Sequence, residues 1–129
     1  MAKRSKEKTA KRREEKDMRP TARARYIRIS PSKVRIVLNV VRGKSVNEAM
    51  AMLEAIPNAS AEVVNKLVKS AVANAEFKGL SRSDLYIAEI FADGGPSLKR
   101  MNPVSKGRGH AILKPSHITV ILDEIKEGK

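Results

Sequence analysis

Three places in this 129-residue chain hold residue types that do covalent or metal chemistry, and each fails on its surroundings. Gly43-Lys44-Ser45 ends like a phosphate-binding loop, but that motif needs a glycine five positions before Gly43, where Leu38 stands. The triplet reads instead as punctuation after a helix. His110 and His117 lie in a stretch without carboxylates, and the chain has no cysteine to join them, so no metal site is expected. Glu89 and Asp93 are the nearest approach to paired carboxylates, with nothing around them to suggest a cleft. No serine occupies a Gly-x-Ser-x-Gly elbow. The expectation is no catalytic residue, no metal, no cofactor and no small-molecule substrate. The absence of cysteine also removes any disulfide framework and fits a reducing compartment.

What remains is charge. Lys and Arg number 27 against 14 Asp and Glu, a formal net charge of +13. Residues 1–28 hold twelve basic and four acidic side chains, and residues 99–117 hold five basic and none acidic. Residues 29–98 are nearly balanced, with eight and seven. Two basic blocks on a near-neutral body seek a dense polyanion. The four aromatics, Tyr26, Phe77, Tyr86 and Phe91, all fall in predicted core elements, which leaves no platform for stacking single-stranded bases. No helix reads as uniformly basic, against a DNA-reading helix. Contact with RNA backbone through Lys and Arg is the remaining mode. The charged start and the lack of a long apolar run argue against a leader or a membrane span.

The elements that position these charges follow from local signals. Residues 1–18 lack any large aliphatic or aromatic residue other than Met and cannot offset their ordering entropy by burial; residues 1–20 are read as a basic extension, disordered when free and able to turn helical on a partner. Residues 21–129 form one domain. Arg23 to Ile29 alternates as a strand. Ser30-Pro31 starts a helix that stops at Gly43, and Ser45 to Glu48 is a capping box opening a second helix to about Ala55. A third runs from about Ser60 to Lys78, with apolar residues at three- and four-residue spacing. Residues 85–91 and 117–122 are strands. The polar, acid-free stretch between them, about 93–117, is too long for a bare loop and reads as a protruding β-hairpin turning near Pro103 to Gly107. Such a ribbon is marginal in water and needs a partner. Gly107 and Gly109 let its backbone approach phosphates closely.

Six segments in collinear order then carry a resemblance. They are Arg28-Ile29-Ser30-Pro31-Ser32-Lys33-Val34-Arg35, Val41-Arg42-Gly43-Lys44, Ser70-Ala71-Val72-Ala73-Asn74-Ala75-Glu76, Gly95-Pro96-Ser97-Leu98-Lys99-Arg100, Lys106-Gly107-Arg108 and Ser116-His117-Ile118-Thr119-Val120. Over about residues 23–123 the chain resembles the ribosomal protein twenty-two family of the bacterial large subunit. The resemblance implies an α+β fold, with three helices packed on a small antiparallel three-stranded sheet and a long protruding β-hairpin. It implies a structural protein of the cytoplasmic ribosome that binds large-subunit rRNA during assembly and touches neighbouring large-subunit proteins. It also implies a hairpin lining the exit tunnel, beside the nascent peptide and near where macrolides bind.

Carried onto this sequence, the expected RNA-binding residues are Arg28, Lys33, Arg35, Arg42, Lys44, Asn74, Lys99, Arg100, Lys106, Gly107, Arg108, Lys114 and His117. The expected tunnel tip is Met101, Asn102, Pro103, Val104, Ser105 and Lys106. His117 reads equally as a residue making a local hydrogen bond at a strand start. Val104 stands where the family usually has a basic residue, and the chain between Arg108 and His117 is one residue shorter, which leaves side-chain facing in 109–116 open. The rival readings are a free architectural DNA-binding protein, which would sediment with DNA, and an enzyme using Asp93 or His110, which would lose turnover on their replacement.

Overall fold

A computed structural model describes residues 2–14, 16–101, 103–109 and 112–126. Asn102 and His110 therefore lie outside the described residues. Pro31–Val41 forms α2, after an N-terminal helix α1 at Ala2–Glu14 and strand β1 at Thr21–Ile27. Pro31 presets the first turn of α2, and Gly43, at φ +76°, ends its run in a conformation that side chains with a Cβ resist. Ser30 sits at the N-cap but makes no capping bond; its hydroxyl lies 3.4 Å from that of Ser32. Val46–Ala55 forms α3, where the Ser45 hydroxyl accepts from the Glu48 N–H. Ala59–Phe77 forms α4, capped by the Asn58 side chain, which accepts from the Ser60 N–H at 3.1 Å.

Leu85–Gly94 is β2 and Ser116–Glu124 is β7, paired antiparallel with β7 in the centre and β1 on its other side. One face of this sheet is covered by α2, α3 and α4. Val34, Leu38, Val41, Val64, Val68, Ala71 and Ala75 meet Leu85, Ile87, Ile118, Val120 and Leu122, all buried to within 1% of completeness. Small side chains along α4 bring its backbone close to the strands, and the burial of this face is what holds the α+β domain together.

Beyond Gly94 the two long strands continue outward as the expected hairpin. Its legs are stitched by Leu98–Lys99 (β3) against Ile112–Leu113 (β6), and by Pro103–Val104 (β4) against Arg108–Gly109 (β5). The tip turns through Lys106 and Gly107, at φ 65° and 72°. Glycine takes that conformation freely, whereas Lys106 is held in it by the turn. The ladder drifts as it climbs. Ile87 faces Leu122 but Glu89 faces Ile121; Gly94 faces Ser116 but Leu98 faces Leu113; Lys99 faces Ile112 but Pro103 faces Gly109. Each break leaves one more residue on the outgoing leg than on the return leg, and the first, inside the β2–β7 ladder, is a β-bulge.

Residues 2–14 are helical, and every described side chain of α1 is exposed. One expectation meets a different structure. The aromatics are not core residues: Phe77 is 94% exposed, Tyr26 65% and Phe91 38%, while Tyr86 is half-buried. Phe77 ends α4 off the buried stripe, Tyr26 sits in a bulge, and the slip beside Ala88 turns Phe91 to the side of the sheet that no helix covers.

Candidate nucleic-acid interface

The predicted RNA-binding residues include some that serve the fold and some that face outward with no partner among the described residues. Arg35 and Arg42 belong to the first group. Strand β2 is an edge strand, and its outward carbonyls would otherwise lack donors. The Arg35 guanidinium donates to the Ala92 carbonyl at 2.8 Å, and that of Arg42 to the Ile90 carbonyl at 2.9 Å and to Asn39 Oδ1 at 3.0 Å. The chain after α2 finishes the edge: the Gly43 N–H donates to the Ile87 carbonyl, and the Ile87 N–H to the Lys44 carbonyl. Lys44 lies 3.6 Å from Glu48. Asn74 likewise donates its amide to the Thr21 carbonyl at 2.8 Å, tying α4 to β1. Each guanidinium keeps further N–H groups able to meet a phosphate.

The second group gathers along the hairpin. At its base, Arg28, Lys33 and Lys114 border one groove of about 480 Å³ together with Asn58 and Ser60 at the start of α4. A nineteen-residue helix presents partial positive charge at that end, so side-chain cations and backbone dipoles act in the same direction on an anion. Further out, Lys99, Arg100 and Lys106 are exposed, and none has an ion pair among the described residues. Arg108 is placed by its backbone, opposite Val104, and Gly107 by its turn. The tip residues Met101, Pro103, Val104 and Ser105 are exposed. No group of three His, Cys, Asp or Glu side chains able to hold a metal occurs among the described residues, and none of their helices is long and apolar enough to cross a membrane.

These parts match a known family. The model of the family described as "Ribosomal protein L22p/L17e" matches residues 22–123. The chain belongs to that family. The large ribosomal subunit protein uL22 of Clostridium kluyveri is 55% identical over 109 residues, covering 83% of this chain and 98% of that protein. Its counterpart in Clostridium acetobutylicum is 51% identical over the same span, and that of Desulforamulus reducens 48% over 113 residues, 86% of this chain and all of that protein. The L22p/L17e family is one of structural ribosome components rather than enzymes.

The family match begins at residue 22, so α1 and the link after it fall outside it. That link is fastened to the family domain. Arg19 clasps Asp17 at 2.6 Å and Glu89 of β2 at 3.0 Å, Lys78 donates to the Met18 carbonyl, and the Leu122 N–H donates to the Pro20 carbonyl. The Arg19 hydrogen bond holds the Asp17 carboxyl down at about 2, and two carboxylates push Arg19 upward. On α4, the bond from Lys66 at 2.9 Å lowers Glu62.

His117 makes a hydrogen bond at its strand start, but to the neighbouring strand rather than locally. Strand β1 carries one extra residue between Ala24 and Ile27, and Tyr26 sits there at φ 56°. The Tyr26 N–H, freed from the ladder, donates to His117 Nδ1 at 3.0 Å. Sequence reasoning missed the whole uncovered side of the sheet. Its signal was the alternation Arg23-Ala24-Arg25, which puts two cations on the side opposite Ala22 and Ala24.

Proposed function

We propose that this chain is a structural constituent of the large ribosomal subunit that binds its rRNA through phosphate contacts, and that its hairpin enters the peptide exit tunnel. The observation that carries the reading is the acid-free hairpin. Lys99, Arg100 and Lys106 stand exposed along it, and a three-cation groove marks its root. A two-stranded ribbon without a core of its own holds a fixed course only when embedded, and folded RNA supplies phosphates from several directions. The names of the relatives place them in the large subunit and support the same assembly for this chain. Its partners are then large-subunit rRNA, the proteins beside it and the nascent peptide passing the tip, with macrolides bound nearby.

The first test is whether the native protein stays with large subunits through a high-salt wash; release from ribosomes and sedimentation with DNA would instead favour a free architectural role. The second removes Met101 to Lys106. Subunits carrying the shortened chain should assemble with an altered macrolide response, and the isolated chain should keep its melting temperature. An unchanged drug response removes the tunnel placement, and a melted domain contradicts the independence of body and hairpin.

A further inference from the structure

The three-stranded sheet has helices on one side only. On the other side a groove of about 420 Å³ is bordered by Arg23, Arg25, Tyr26, Phe91, Asp93 and His117. Arg23, Thr119 and Phe91 lie in one row across the strands, and His117 lies beside Asp93 in the next. We propose that this groove takes an unpaired nucleobase of the bound RNA, stacked on Tyr26 and Phe91, with Arg23 and Arg25 holding the flanking phosphates. The inference rests on the RNA-binding reading above and adds a site that reads base faces rather than backbone.

Three features argue for it. The first is cost. Tyr26 is held at φ 56°, which a bulky residue avoids, yet its ring stays 65% exposed, so the strain is not repaid by burial of that side chain. The second is rigidity. The Tyr26 and His117 rings meet edge to face, 4.9 Å apart at 88°, while His117 Nδ1 accepts the Tyr26 N–H. A Cβ on Gly95 would come within 3.2 Å of the His117 ring, so glycine there leaves room for the imidazole. The platform is thus set before a ligand arrives, which lowers the ordering cost of binding. The third is charge. Neither Arg23 nor Arg25 has an ion pair among the described residues; two cations face one acid of the lining, Asp93, and Glu89 farther along the strand is occupied by Arg19. Rings interleaved with free guanidiniums suit a base and its phosphates, whereas a protein partner of ordinary hydrophobic kind would find no unbroken apolar patch.

The test uses the full chain and two probes, a single-stranded oligoadenylate of about twelve nucleotides and its duplex with oligouridylate. Tyr26→Gly removes the ring and suits the backbone conformation, so the fold is kept; Phe91→Ala removes the second ring. Each should weaken single-strand binding by roughly five- to a hundredfold. Duplex binding and the salt dependence of both should stay as they were, because no phosphate contact is lost. Tyr26→Phe should retain binding, and Phe77→Ala, which removes an exposed ring elsewhere, should change nothing. Unchanged single-strand affinity in both ring variants overturns the proposal, as does an equal loss on the duplex. If the unaltered chain binds neither probe, the RNA-binding reading falls together with this one; if it binds both and the ring variants bind as the unaltered chain does, this proposal alone falls.

Discussion

The body and the hairpin of this protein use the same side chains in opposite ways. In the body, Arg35 and Arg42 turn back onto Ala92 and Ile90 and supply the donors that the edge of β2 lacks. On the hairpin, Lys99, Arg100 and Lys106 have no acid or carbonyl assigned to them among the described residues, and the ribbon beneath them is a pair of two-residue ladders. The first set stabilises the fold whether or not RNA is present. On the proposed function, the second contributes only once phosphates surround it. A charge count treats these residues alike, whereas the positions of unpaired carbonyls separate them.

The contrast can be broken most forcefully from inside the body. Leu38→Ala, at a fully buried site of α2, should lower unfolding stability by about 2–5 kcal/mol while leaving the salt dependence of RNA binding intact in the folded fraction. Denaturant titration beside a salt series checks both halves. Arg35→Ala and Arg42→Ala should each cost about 1 kcal/mol of stability, the worth of one net hydrogen bond to the strand edge. A salt slope that drops with stability unchanged would move them into the hairpin's class. Lys99→Ala should do the reverse: no change in melting, and a salt slope shallower by about 0.7 to 0.9 of a unit for the lost phosphate contact. The smallest effect concerns the link before β1. Because Asp17 is held at about 2 in the folded chain, its clasp with Arg19 is intact above the usual carboxylate value of about 4 and is lost as pH falls through about 2. Asp17→Asn should therefore remove a small part of the stability lost between those values, seen as a flatter acid limb of the melting temperature. An unchanged limb shows that the clasp adds nothing.

Much of this architecture is legible in the residues, and the gaps have a physical cause. Pro31, Gly43 and the Ser45 capping box mark helix ends by local chemistry, and the acid-free run after Asp93 marks the hairpin. The uncovered sheet side is harder to read. In β2, Leu85 and Ile87 point inward, then the extra residue at Ala88 shifts the phase so that Ile90 and Ala92 are the buried ones. A strict two-residue alternation carried through that slip sends Phe91 into the core. Tyr26 follows the same logic in β1. The roles of Arg35, Arg42 and Asn74 depend on which carbonyls lie across from them, a matter of tertiary placement that spacing does not encode.

The uneven residue count of the two hairpin legs has its own consequence. Like the outer lane of a track, the outgoing leg is longer, so the mismatch between the legs is written in backbone length rather than in any side chain. Removing one residue beside Ala88 should close the slip in the β2–β7 ladder, whereas the same removal from β7 should widen it. Indels in the two strands are thus inequivalent, and the pairing of side chains across the ladder is set by where a residue is added more than by which residue it is.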